Sequence, residues 1–181
     1  MRMNTSDEAL AIAAANGDRD AFAALLSRQY DRLFAFAFRL TGTRHDAEDL
    51  TQDICAALPG KLRNFRADAR FTTWLYRVAV NAAHDRRRRA ATHARAADGW
   101  GDWEVNRQAS NQEAATQLDW LTKAMSTLPD DLRDTVALTL GEELTQSETA
   151  QVLGLSEGTI AWRMAQVKDH LRALHQKEEQ A

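Results

Sequence analysis

Leu144 to Leu174 reads LTQSETAQVLGLSEGTIAWRMAQVKDHLRAL, and its punctuation leaves the chain little freedom. Thr145 and Glu148 have capping-box spacing: the hydroxyl accepts from the Glu148 amide and the carboxylate accepts from the Thr145 amide, so a helix starts there. Gly154 stands where a left-handed residue ends that helix, Leu155 can fold back onto it, and Ser156, three residues before Thr159, caps a second helix. Helices joined by so short a turn must cross steeply. On the second, Ile160, Met164, Val167, Leu171 and Leu174 recur at helical spacing and form one buried stripe. The opposite face carries Thr159, Trp162, Arg163 and Gln166 near the N-terminal end, which is the end a recognition helix inserts into a major groove. A helical hairpin in a bundle has the same stripe and turn. An exposed Trp162 suits a neighbouring helix as well as a base.

The rest of the chain is equally helical in pattern. Its 181 residues hold 2 prolines and 8 glycines, and no alternating apolar and polar run is long enough for a strand, so the fold class is all-α. From Asp20 to Leu40, Phe22, Leu25, Leu26, Leu33, Phe34, Ala37 and Phe38 repeat at helical spacing until TGTR at 41–44. A second helix is expected from Asp46 to Leu58, stopping at Pro59–Gly60, and a third from Phe71 to Arg89. Residues 90–112 are rich in Ala, Gly, Asp and Asn without sustained periodicity, as expected of a linker. Helical pattern resumes from Glu113 to Thr127, LPDDLR at 128–133 opens another helix, and the capped pair follows. Two small helical domains are therefore expected, at 1–89 and 113–181, joined by 90–112.

Charge is divided unevenly. Residues 1–90 hold 15 Lys or Arg against 11 Asp or Glu, while residues 91–181 hold 8 against 15; the whole chain carries −3. Residues 61–95 alone hold 10 basic and 2 acidic residues, a basic island of the kind that attracts polyanions. Inside it, RFTTWLYRVAVNAAHDRRRR sets Phe71, Trp74 and Tyr76 ahead of Arg86, Arg87, Arg88 and Arg89. Unstacked bases gain roughly 1–3 kcal/mol each on aromatic faces, and guanidinium groups hold the backbone of a separated strand. A cationic helix end also suits the helix dipole, and Trp74, beside Leu75 and Val78, also fits a core position. Cys55 is the sole cysteine, which excludes an intramolecular disulfide and a zinc site on paired cysteines. His45, His84, His93, His170 and His175 are scattered, so no metal, cofactor or catalytic constellation is expected. No apolar run approaches the roughly 20 residues that span a bilayer, and the N-terminus is acidic where a signal peptide is basic, so no membrane insertion and a cytoplasmic location are expected.

The stretch DAEDLTQDICAAL places Asp49, Gln52 and Asp53 on one helix face and Ala47, Leu50, Ile54 and Leu58 on the other. Such an acidic ledge is either solvated surface or a dock for a cationic partner. Taken in order, DAEDLTQD, FRADARF, TWLYRVAVN, a linker, LP-LR and LGLSEGTI resemble the bacterial sigma factors of the extracytoplasmic-function group, over about Ala21–Arg89 and Leu118–Leu174. The resemblance implies two domains, equivalent to sigma regions 2 and 4. It also implies that Asp46, Glu48, Asp49, Gln52 and Asp53 grip the β′ clamp helices of core RNA polymerase, with the β flap as a second polymerase contact. Asn64, Arg66, Arg70, Phe71, Trp74, Tyr76, Arg77, Asn81 and Arg86 to Arg89 would bind and melt the −10 element. Ser156, Glu157, Thr159, Trp162, Arg163, Gln166 and Lys168 would read the −35 element. The chain departs from the family pattern at Ala67, where many relatives have glycine, and at Ala161–Trp162, where many have a basic residue and serine. Promoter DNA and an anti-sigma factor are the further partners implied, and the polymerase, not this chain, would be the enzyme. Two other functions fit parts of the pattern: a sigma-like module that titrates an anti-sigma protein, and a helix-turn-helix regulator independent of polymerase.

Overall fold

The computed structural model describes residues 5–97 and 123–180, and among these every regular element is helical. The first unit contains α1 (Asp7–Ala15), α2 (Arg19–Thr41), α3 (Arg44–Leu62) and α4 (Phe71–Ala97). Residues 123–127 (α5), α6 (Asp130–Val136) with a π-helical extension at Ala137–Gly141, α7 (Gln146–Leu153) and α8 (Glu157–Glu179) follow.

Local chemistry fixes most helix starts. Ser6, Asp18, Thr43, Thr145 and Ser156 each accept a backbone N–H at the third residue on. At Thr145 both hydrogen bonds of the capping box form, at 3.1 and 2.9 Å. Gly154 adopts the left-handed φ of 67° that ends α7 and sets the turn into α8.

Three boundaries differ from the sequence expectation. The helix α1 was not anticipated; it is short, and its buried Leu10 and Ala11 gain their stability from the core rather than from propensity. Pro59 and Gly60 lie inside the last turn of α3, because Leu58 and Leu62 on either side are both buried and hold that turn in place. The helix α4 runs eight residues past Arg89, to Ala97, into the expected linker. The expected helix from Glu113 and the remaining linker residues fall largely outside the described residues.

A single hydrophobic cluster unites α1 to α4 around Leu33, Phe36, Leu50, Ile54, Leu75 and Val80. Ala137, Leu138 and Val152 from the second unit belong to the same cluster. A smaller cluster of Leu128, Leu132, Val136 and Val167, joined by Met125, Met164 and Leu171, packs α6 against α8.

Candidate functional site

The amphipathic pattern of α3 turns Leu50, Ile54 and Leu58 inward and leaves Glu48, Gln52 and Asp53 exposed. Asp46 is used locally, accepting a 2.7 Å bond from the Thr43 hydroxyl at the helix start. Asp49 and Asp53 both meet Arg86 of α4, at 3.6 and 2.9 Å, while Glu48 pairs with Arg44 at 2.9 Å. The ledge is thus a small ion-pair network whose charge is partly offset by one guanidinium of the arginine run.

That run is not a free cationic block. Arg87 reaches Asp134 of α6 at 2.8 and 3.0 Å and the Leu40 carbonyl at 3.0 Å. Burial disfavours the Arg87 charge, but hydrogen bonds to Asp134 and the charges of Asp134 and Asp130 outweigh it, and its pKa is raised. Arg88 pairs with Asp85 at 2.6 Å. Arg89 forms no ion pair among the described residues, so one of the four remains unengaged. A helical reading places the four guanidinium groups around the helix; acids on three sides collect three of them.

The aromatic residues are also redirected. Phe71 is 1% exposed and stacks edge-on with Phe65 at 5.7 Å, and Trp74 packs on both at 5.4 and 5.7 Å. Tyr76 is buried against Phe36 at 4.9 Å, with its hydroxyl on Glu142. Burial first, and the Glu142 carboxylate second, push the Tyr76 phenol well above its usual pKa. In this conformation Phe71 and Tyr76 offer no face for a base; with Trp74 half-buried, the three rings support the loop rather than extend beyond it. Periodicity cannot distinguish an aromatic kept for stacking on bases from one kept for the core.

What the rings support is exposed. Asn64, Arg66, Ala67, Asp68, Ala69 and Arg70 all face solvent between α3 and α4. Glu8 of α1 accepts the Phe71 N–H at 2.9 Å and so caps α4 from 63 residues away, a contact that lowers the Glu8 pKa. Asn81 is exposed on the rim of a cleft of about 520 Å³ between α3 and α4, floored by Ile54, Ala57 and Val78. Arg77 is exposed but donates to the Gln151 carbonyl of α7 at 2.8 Å.

On α8, Ile160 and Val167 are buried, and Met164 and Leu171 pack beside the smaller cluster, as the stripe predicts. Glu157, Ala161, Trp162, Gln166 and Lys168 are exposed, with Trp162 at 59%. Ser156 and Thr159 are taken up in the cap, hydroxyl to hydroxyl at 2.9 Å. Arg163 is not on the outward face. It turns back onto α6, 3.7 Å from the Asp131 carboxylate and 3.3 Å from its carbonyl. Its place on the helix borders the apolar stripe, and the acids at the start of α6 pull it to that side.

Asp134, Glu142, Arg39 and Glu8 were missed from sequence. None carried a legible local signal: Asp134 lies in LRDTVALTL beside Arg133 and Thr135, and the other three act through contacts distant in sequence. Among the described residues, no three His, Cys, Asp or Glu side chains converge as a metal site, and no helix is long and apolar enough to cross a membrane.

The order of these two surfaces defines the class: a four-helix unit with an acidic ledge and a basic loop, followed by a helix-turn-helix. The family model for sigma-70 region 2 matches residues 25–93, and that for sigma-70 region 4 matches residues 124–173. The chain is 32% identical to the ECF RNA polymerase sigma factor SigM of Mycobacterium tuberculosis (strain ATCC 25618 / H37Rv), covering 96% of this chain and 86% of the relative. It is also 32% identical to the RNA polymerase sigma factor NccH of Alcaligenes xylosoxydans xylosoxydans, covering 96% of both. The solved structure of CnrH in complex with the cytosolic domain of CnrY is similar over 94% of this chain and 97% of that one, with a TM-score of 0.67 and 29% identity. The chain belongs to the extracytoplasmic-function group of RNA polymerase sigma factors, and its function is promoter recognition in transcription initiation.

Proposed function

We propose that the α3 ledge, with Glu48, Asp49, Gln52 and Asp53 as its contact groups and Asp46 holding its first turn, docks on the β′ clamp helices of core polymerase. Promoter DNA is read by two separate surfaces. The exposed loop Asn64–Arg70, with Asn81 and Arg89, takes the −10 element, and the outward face of α8, with Glu157, Trp162, Gln166 and Lys168, takes the −35 element. Phe71, Trp74 and Tyr76 act indirectly, by shaping the loop. The functional division of the chain falls after α4 rather than at Arg89. An anti-sigma factor is the natural regulatory partner, by analogy with the complex between CnrH and CnrY, and the chain works in the cytoplasm without catalysing a reaction itself.

The observation that carries this reading is the Ser156-capped helix α8, whose outward face stays in solvent through its first three turns on a helix-turn-helix that follows a region 2 unit. Run-off transcription with purified core RNA polymerase on a genomic fragment library tests it. Discrete transcripts are expected only when the chain is added, and Asp49→Lys/Asp53→Lys is expected to abolish them by weakening core binding at least tenfold, since like charges then face each other across the dock. If the folded double variant binds core as tightly as wild type, the ledge is solvated surface and the docking assignment fails.

A further inference from the structure

Trp162 is 59% exposed on α8 and belongs to neither hydrophobic cluster, so packing does not account for it. A tryptophan left in solvent forgoes the burial that makes aromatic side chains valuable in cores, and on a surface that meets a partner it is a typical anchor. Its neighbours narrow the kind of contact it can make. Gly158, Trp162 and Gln166 follow at intervals of four residues, so they stand in one line, turning by about 40° per step around the helix. All three are exposed, and the line holds no charge. Gly158, one turn before the indole, has no side chain to cover it.

Cations are missing from this face. Arginine is the commonest reader of guanine, and Arg163, the one arginine in the first three turns of α8, is drawn to Asp131 of α6. Lys168 lies about 120° round the helix from Trp162. Asp169, back in the sector of the line, pairs with Arg172 at 3.3 Å. Residues 91–181 hold 8 Lys or Arg against 15 Asp or Glu, so general attraction to phosphate is weak here and recognition falls to base edges. In the major groove an uncharged face can distinguish bases by two features: the 5-methyl group of thymine, which apolar surface meets, and the N6–H and N7 of adenine, which a carboxamide matches bidentately. An indole supplies the first and Gln166 the second. Four residues of helix span about 6 Å and stacked bases are about 3.4 Å apart, so the two contacts fall within about two base pairs of each other.

We infer that Trp162 and Gln166 are the specificity-determining residues of the −35 surface: Trp162 packs on a thymine 5-methyl group, Gln166 pairs with a nearby adenine, and the chain selects an A·T core there rather than a guanine. This rests on the −35 reading of α8 proposed above.

Holoenzyme assembled from core polymerase and the full chain, selecting from random-sequence duplexes, tests it. Wild type is expected to enrich an upstream motif with a thymine and an adenine within about two pairs of each other. Replacing that thymine by deoxyuridine removes the methyl group alone; it should weaken wild-type binding about fourfold, the transfer value of one buried methyl group, while Trp162→Ala holoenzyme should bind both duplexes equally. Gln166→Ala should lose about fivefold or more in preference at the adenine and keep the preference at the thymine. An upstream motif indifferent to deoxyuridine and to Trp162→Ala overturns the inference and leaves the −35 reading standing, whereas a wild-type selection without any upstream motif overturns both. A guanine motif that Arg163→Ala erases also overturns it, because Arg163 then leaves Asp131 to read DNA. If Trp162→Ala weakens core binding with selectivity intact, the ring is a protein contact and the inference fails. Should that variant not fold, the deoxyuridine measurement on wild type decides alone.

Discussion

Ala67 is the residue at which the loop between α3 and α4 is most constrained. Its φ of 55° lies in the left-handed region, where a Cβ crowds the following carbonyl at a cost of roughly 1–2 kcal/mol. A glycine there removes the crowding but adds freedom to the unfolded chain, which returns part of the gain. Ala67→Gly is therefore expected to stabilise the protein by about 0.5–1 kcal/mol in urea unfolding. Promoter opening should change little, because the backbone is already in a conformation that glycine adopts without strain. A destabilised Ala67→Gly would mean that the left-handed turn at residue 67 is not the solution conformation. The departure at Ala67 was visible in the sequence and its conformation was not: a single residue carries no trace of its φ. The same limit explains Phe71 and Tyr76, whose burial depends on partners outside their own helix: Phe65 in the preceding loop and Glu142, 66 residues away.

At the scale of elements, what is local was legible and what is distant was not. The start of α7, its glycine end and the cap of α8 depend on hydrogen bonds within four residues, and all three form as the spacing requires. The start of α4 depends instead on Glu8, whose carboxylate caps a helix from the other end of the unit. Its folded pKa is lowered first by that backbone N–H, so the cap contributes stability above the unfolded carboxylate value and loses it as pH falls through the lower folded value. Glu8→Gln keeps an acceptor but does not titrate. The wild-type urea midpoint should consequently fall between pH 5 and pH 3 more steeply than that of Glu8→Gln, while Glu8→Ala costs about 0.5–1 kcal/mol at pH 7, the low end for a cap that stays partly solvated. Parallel pH profiles for wild type and Glu8→Gln would remove the charge from the account and leave an ordinary neutral cap.

For the whole molecule, the question is whether two units that function at separate DNA sites are energetically one body. The sequence reading of two domains with a linker was sound for connectivity but silent on packing, since an apolar residue at a helical core position carries no label for which core it enters. Leu138 illustrates this: it follows the pattern of α6 yet is fully buried with Ala137 in the core of the first unit, while Leu132 and Val136 serve α8. The π-helical turn at Ala137–Gly141 moves the apolar face between those two directions. Leu138→Ala is accordingly expected to act on the junction more than on either unit. Removing a buried leucine typically costs about 2–5 kcal/mol where the cavity cannot collapse, and a junction that can part should show less, near 2 kcal/mol. Calorimetry distinguishes the outcomes: wild type should unfold in one transition with calorimetric and van 't Hoff enthalpies equal, and Leu138→Ala should split it into two, with the helix-turn-helix unit melting first because its own cluster is small. Two transitions already present in wild type would mean that burial at Leu138 does not couple the units.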